Sequence, residues 1–413
     1  MSRSSLKETL RLLSREWRSL LAPFAFDMAL GLFFIGVPLL AGARFGADES
    51  DMGRLASVCM VTYMIFTPIV GRMNDRGWTR QVLLTGPALV LLSALCVIFS
   101  TSLWHVCLGA CIFQSASATV WPSLVTSLSQ ASPSRAMRRL TVFSIAWVIG
   151  LALGNQIGGS LRELSVSLPF IACACTVLAL VPILIYTEKH HRKPEQLQRQ
   201  GEEEDETEGI ATPIRLRYFR WMAWVALFAS VGCICVVRRL FPVRAEAMGF
   251  SGTQVGLIGL SCGVWNAVGC FIFGGYPKRW FCRVTPLIGA LACQGVGLVI
   301  LGCVALRIFE HLALALLGAG LNGFGLSLTY LAGIRYSVIG AKNRGTNSGI
   351  NESVQGAGAV LVPFLAGESV RLFDGGPYFV AAAFVMPVIA FQIFLFSRMR
   401  AEERRAHAGQ VVS

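Results

Sequence analysis

The chain has 413 residues and a formal net charge of +13; 54% of its residues are hydrophobic and only 14% charged. An average soluble domain carries roughly 25% charged residues, so this sequence lacks the polar coat of a water-soluble surface. Its mean hydropathy is +0.61. A soluble enzyme, a nucleic-acid binder and a disordered chain are thereby excluded, which leaves a polytopic membrane protein.

In chain order, residues 1–19 come first. Leu6, Leu10, Leu13, Trp17 and Leu20 recur at helical spacing among Lys and Arg, the pattern of an amphipathic helix lying on the inner membrane surface. No apolar core precedes Leu20, so no cleavable signal peptide is expected. Twelve apolar runs follow: 20–42, 53–72, 82–101, 103–127, 141–160, 165–187, 219–241, 254–275, 285–306, 311–333, 346–367 and 377–397. Each can cross a hydrocarbon core about 30 Å thick as a helix, and helices satisfy their own backbone groups in lipid. The expected fold class is therefore an all-α membrane protein.

Between spans six and seven, residues 188–218 form one long polar connection, with Lys189, Arg192 and Lys193 followed by an acidic run from Glu202 to Glu208. It reads as a solvated linker. The expected domains are an N-terminal six-helix bundle over 20–187, the linker, a C-terminal bundle over 219–397 and a tail over 398–413. Basic residues alternate with the loops. Only Arg44, Arg54, Arg162, Arg244, Arg307 and Arg371 fall on one side, and Arg238 and Arg239 lie inside span seven. The other side takes the rest, including Arg135, Arg138 and Arg139, which places both termini in the cytoplasm and the chain in a plasma (inner) membrane. Twelve of the 13 cysteines sit in apolar runs and Cys282 in a polar loop, so neither a disulfide framework nor a metal site is expected.

The two halves repeat each other. GRMNDRGWTR follows span two, with Gly71, Asp75, Arg76 and Arg80; GGYPKRWFCR follows span eight, with Gly274, Lys278, Arg279 and Arg283 at the same spacings. Gly150, Asn155 and Gly159 in span five match Gly358, Pro363 and Gly367 in span eleven. Together they argue for a duplicated six-helix unit.

Twelve spans, the polar central connection and the GRMNDRGWTR loop resemble the major facilitator superfamily over the whole chain. Gly71, Asp75, Arg76 and Arg80 fit the family's loop signature, while Gly77 arrives one residue early and Thr79 replaces a usual basic residue. The resemblance implies two pseudo-symmetric six-helix bundles that rock about a midplane site. It also implies that Asp75 packs near the start of span eleven and helps lock the outward-facing state. GLALGNQIGG in span five is similar to the family's glycine-rich antiporter motif, with Asn155 where proline is usual and Thr141 where a glycine is.

Polar residues inside spans supply the candidate site. Asp27 is the one deep acid of the first six spans, and ionised burial is costly, so a partner or a proton must neutralise it. Arg238 and Arg239 are about 100° apart on an α-helix, so one is expected to face the cavity, toward an anion or Asp27, and the other to snorkel outward. Ser348, Asn351, Glu352 and Gln355 make a polar stripe in span eleven, where Glu352 is a second proton or cation candidate. Gln114, Asn155, Gln156, Asn266 and Asn322 are further cavity candidates that also suit interhelical hydrogen bonds. No deep histidine relay, catalytic set or GxxxxGKS loop is visible, so no cofactor, no enzymatic activity and no ATP coupling are expected. The expected function is secondary transport of a small organic molecule, as proton-coupled export, by a monomer whose partners are substrate, proton or other ion, and lipid. An organic-anion or phosphorylated-solute symporter using Arg238 or Arg239 is the alternative. A non-transporting sensor or scaffold is the reading from another class.

Overall fold

The computed structural model describes residues 3–129, 133–191, 212–309, 311–338 and 344–412. The acidic run Glu202–Glu208 and the linker beyond residue 191 as far as 211 lie outside the described residues, as do the side chains of residues 3–19, Arg135, Arg138, Arg139, Lys278 and Ser348. The helices in chain order are α1 (Arg3–Phe45), α2 (Glu49–Asp75), α3 (Thr79–Ile98), α4 (Leu103–Ser129), α5 (Pro133–Leu164), α6 (Leu168–His191) and α7 (Pro213–Cys235). A π-helical turn, Val236–Leu240, joins α7 to α8 (Phe241–Ala247). Then come α9 (Gly252–Gly275), α10 (Pro277–Trp280), α11 (Val284–Ala305), α12 (Leu312–Val338), α13 (Arg344–Glu368) and α14 (Gly376–Val412).

Eleven long helices and the bent α7–α8 pair thus stand where the twelve apolar runs were expected. No strand occurs among the described residues. Ten of these elements are long and apolar enough to cross a membrane, and the described apolar part of α6 is the shorter Leu168–Leu184. In α13 the polar stripe lowers the apolar content. Residues 3–19 are helical as expected, but they run into the first span without a break.

The duplication is visible in local structure. Asp48 and Asp51 form a capping box at the start of α2, and Ser251 and Gln254 form another at the start of α9. Each box gives two orphan N–H groups a partner at a helix end. Packing repeats as well: α1 lies on α5 and α6, α2 and α3 on α4, and α3 on α6. In the second half α7 lies on α13 and α14, α9 and α11 on α12, and α11 on α14.

Two seams join the halves, α2 on α13 and α5 on α9. Both rest on small residues. A Cβ at Gly159 would strike the backbone of Gly252 and Gly256, and one at Gly367 would strike that of Glu49 and Gly53. Helix pairs in lipid approach this closely only where side chains are small.

At the end of the bundle that carries both termini, the tail is helical and tied to α7. Arg215 Nε lies 2.6 Å from Glu403 Oε1, and Arg217 Nη2 2.7 Å from Glu402 Oε1. Cys282, expected in a polar loop, is half-buried at φ 54°, and its N–H donates to Tyr336 Oη at 2.7 Å. Phe281 stacks on the same tyrosine ring, centroids 5.1 Å apart. All 13 cysteines are free thiols.

Candidate functional site

The polar centre of the bundle is built where α1, α2, α12 and α13 meet. Asp27 on α1 is 2% exposed, and its Oδ2 has no hydrogen-bond partner. The cation that acts on it is Arg238, from the π-helical turn, at more than ion-pair distance. Across the seam, Tyr63 on α2 donates its hydroxyl to Glu352 Oε2 on α13 at 2.6 Å. Tyr330 on α12 lies within electrostatic reach of both acids. Its ring meets Trp147 edge-on at 5.2 Å, and Trp147 meets Trp121 at 5.7 Å, so an aromatic wall crosses from one half to the other. The Trp147 indole N–H is buried without a partner.

The two arginines depart from expectation. Neither snorkels: Arg238 is half-buried and Arg239 is 9% exposed. A π-helical turn holds more residues than an α-turn, so adjacent side chains diverge by less than about 100°. They straddle α1. The Arg239 guanidinium lies over the Phe34 ring, 3.2 Å from its centroid, in a cation–π contact. Arg238 turns toward α9, with Nη2 4.0 Å from Cys262 Sγ and a buried Nε that has no partner. It lines a narrow cleft shared with Ile35, Asn155, Phe241, Ile258 and Cys262.

The other candidates scatter. Asn155 reaches this cleft and packs on Gly259 of α9. Gln156 bonds its own helix, Nε2 to Ser160 Oγ at 3.3 Å, and its Oε1 is buried and unpaired. Gln114 donates to Met60 Sδ at 2.7 Å, which ties α4 to α2. Asn322 donates to the Gly318 carbonyl at 2.9 Å, and Asn266 accepts from Cys270 Sγ at 3.6 Å. Asn322 Oδ1 and Asn266 Nδ2 are buried without a partner. On α13, Asn351 accepts from Ser337 Oγ at 3.4 Å, while Gln355 keeps a buried, unpaired Nε2.

Both ends of the bundle are stitched across the halves. At the termini end, Asp75 Oδ2 accepts from the Thr346 N–H at 3.0 Å and from its hydroxyl at 2.7 Å, in the first turn of α13. A carboxylate there also complements the positive helix terminus. The sister loop behaves differently: the residue in Asp75's place is Lys278, Arg279 lies over Tyr276 at 4.7 Å, and Arg283 precedes α11. Gly71 is buried in α2, Arg76 and Arg80 are exposed, and Gly274 packs against Thr141 of α5. At the opposite end, Arg54 of α2 meets Glu368 of α13 at 2.6 Å, and Arg162 of α5 meets Glu246 of α8 at 2.8 Å. Arg244 bridges Asp374 at 2.9 Å and Glu49 at 3.9 Å.

Replacing Asp75 with Asn preserves shape and removes the charge. A carboxylate at a helix N-terminus is worth about 0.3–1 kcal/mol, so the closed termini end should loosen by about 2- to 5-fold. Maleimide labelling of a variant that retains only Cys262 should speed up by that factor with normal membrane insertion. Unchanged labelling and unchanged transport would make Asp75 a solvated turn residue.

The profile of the Major Facilitator Superfamily matches residues 19–363. The chain belongs to that family. It is an integral, multi-pass membrane protein of a transporter fold. Among its relatives, a tetracycline resistance protein, class H, of Pasteurella multocida is 24% identical, over 84% of this chain and 88% of that one. The quinolone resistance protein NorA of Staphylococcus aureus is 20% identical over 87% and 92%. The MFS-type transporter YceJ of Bacillus subtilis is 24% identical over 90% and 93%. Among solved structures, the nucleoside transporter NupG superposes with a TM-score of 0.67 at 11% identity, covering 92% of this chain and 98% of that one. The family and these relatives are transporters rather than enzymes.

Sequence reasoning missed Tyr63, Tyr330 and Trp147, whose rings read as ordinary apolar residues inside their runs. It also missed the cross-half pairing of Arg54, Arg162 and Arg244, since partners such as Arg54 and Glu368 are 314 residues apart.

Proposed function

We propose that this chain is a secondary active transporter that exports a small organic molecule by alternating access, with protons as the driving ion. The observation that carries the reading is Asp27: a deep acid with an unpaired oxygen at the meeting of the two halves, facing a cation it does not touch. An intramembrane carboxylate of this kind is costly unless it takes up a proton or a ligand. Glu352, bonded to Tyr63 across the seam, is the second carboxylate and links proton occupancy to the contact between α2 and α13. The remaining roles follow. The cleft residues Asn155 and Arg238, with Gln355, contact substrate, and Asp75 holds the termini end shut until a passenger is bound.

The relatives' names, resistance to tetracycline and to quinolones, support the outward direction. Two inward arginines favour a second reading, carriage of an organic anion. The bundles span 20–187 and 219–397, both termini face the cytoplasm of a plasma (inner) membrane, and the unit is a monomer. The basic-residue asymmetry supports that orientation. Protease added to right-side-out vesicles should therefore leave the 188–218 linker intact, and cleavage there would reverse the topology.

Inside-out vesicles with an acidified lumen test the transport reading. Tetracycline or a quinolone should release protons from the lumen, read by a pH-sensitive dye. If no proton moves with these drugs, nor with a panel of sugars and organic anions, coupled transport fails and the scaffold reading stands.

A further inference from the structure

Two acids of the first half stand at the unfavourable end of their own helices. Asp75 closes α2, and Glu163 lies in the last turn of α5. The negative end of a helix dipole disfavours a carboxylate there. Each is seated instead on the positive start of a helix from the second half. Asp75 takes the Thr346 N–H of α13 at the end that carries the termini. Glu163 Oε1 takes the Thr253 N–H of α9, at 2.8 Å, at the opposite end.

The start of α9 needs that acceptor. Its capping box gives the N–H groups of Ser251 and Gln254 a partner, and the Thr253 N–H finds one across the seam. Glu163 lies one turn beyond Gly159, whose backbone touches that of Gly252. A Cβ on Gly252 would come within 3.3 Å of the Glu163 stem. Rim pairs such as Arg162–Glu246 join two flexible side chains that can follow each other, whereas this bond ends on backbone. It cannot outlast a parting of α5 and α9 at this end, which would leave Glu163 with the negative terminus of α5 alone.

The sister seam keeps the same register. Glu368 closes α13, and its Oε1 accepts from the hydroxyl of Ser50 at 3.5 Å. Ser50 is the second residue of α2, as Thr253 is of α9. At the termini end the repeat is broken, because Lys278 stands where Asp75 does.

We propose that Glu163 is the latch of the end opposite the termini, the counterpart of Asp75, and that the balance of the two sets the side to which the central cleft opens. This rests on alternating access and names the residue that governs the half-cycle Asp75 does not.

Sided labelling reads the balance. A membrane-impermeant maleimide is added, in vesicles of each orientation, to the full chain with Cys262 as its single cysteine. The readout is the labelling rate from the side opposite the termini divided by that from the termini side. Loss of a charge at a helix start should shift this ratio about 2- to 5-fold. It should rise in Glu163→Gln, fall in Asp75→Asn and return to its original value in the double variant. Glu163→Lys sets a positive charge against the positive start of α9 and should raise the ratio beyond the Gln variant. Melting temperatures establish that the variants fold. A residue that only supports the fold would speed labelling from both sides alike. A ratio that ignores residue 163, with labelling from each side intact, overturns the latch and leaves the transport reading standing. A double variant that keeps the ratio of either single variant overturns the balance. Cys262 labelled from neither side in every variant overturns the latch and alternating access together.

Discussion

Replacing Asp27 with Asn should leave a folded protein that no longer concentrates substrate against a gradient when a pH difference is imposed. One pH unit is worth about 1.36 kcal/mol per proton, so one coupled proton supports about a tenfold concentration ratio. The Asn variant should reach a ratio of about one, because its amide cannot exchange a proton. Removal of the charge also relieves the cost of burying it, so stability should hold or rise. The groups that face Asp27 are Arg238, Tyr63, Tyr330 and, through Tyr63, Glu352. Of these, Glu352 is the other carboxylate. If the Asn variant still drives uphill movement with unchanged pH dependence, Asp27 is structural and Glu352 becomes the coupling group.

A leucine at Gly150 should be nearly as damaging, through geometry rather than charge. A Cβ there would strike the carbonyl of Phe24 on α1, and backbone cannot rotate out of the way as a side chain can. Gly154 and Gly158 meet α1 one and two turns further on, at Met28 and at Leu32. This face of α5 is therefore the bed on which the Asp27 turn of α1 lies. Overpacking costs about 1–3 kcal/mol even where neighbours can adjust, and here the two helices must part. Folded yield and melting temperature in detergent should both drop for Gly150→Leu. Gly358 meets the Phe228 carbonyl in the same manner, so Gly358→Leu should reproduce the loss in the second half. Wild-type melting behaviour and transport in both variants would show that these contacts are not what seats the helices.

Much of the fold was legible because lipid restricts the choices. Apolar length marks most of the spans, and the family resemblance carried by Gly71, Asp75, Arg76 and Arg80 implies the contact with the start of α13 that the geometry places at Thr346. Asp27 was legible because an acid within an apolar run is rare. Arg238 and Arg239 were legible as charges but not in direction. Nothing in the pattern VVRRL distinguishes a π-helical turn from an α-helical one, and that turn decides where both point. Tyr63 and Tyr330 were hidden for the opposite reason, since a ring facing lipid and a ring facing a carboxylate look alike in a hydrophobic run. The two basic loops cross the halves differently: Asp75 of the first reaches Thr346 of α13, and Gly274 of the second lies against Thr141 of α5. The second has Lys278 in the acid's position, and its Trp280 and Phe281 are buried.

The glycine-faced seams bear on how fast such a machine can turn over. Where helices interlock through large side chains, relative motion must unplug each one, and every unplugging adds a barrier. The faces at Gly159 against Gly256 and at Gly367 against Gly53 carry almost no corrugation. At these points no side chain stands between the two backbones to be displaced if one half moves on the other. What resists motion is then a small set of polar ties: pairs at the rims such as Arg54–Glu368, where the side chains are 46% and 28% exposed, and buried bonds within the seam such as Tyr63 to Glu352 and Ser57 to the Val360 carbonyl. Water-exposed pairs of that kind contribute only about 0–1 kcal/mol each. Small-residue contacts in the seam and weak rim catches leave the occupancy of the buried charges as the chief determinant of when the halves move.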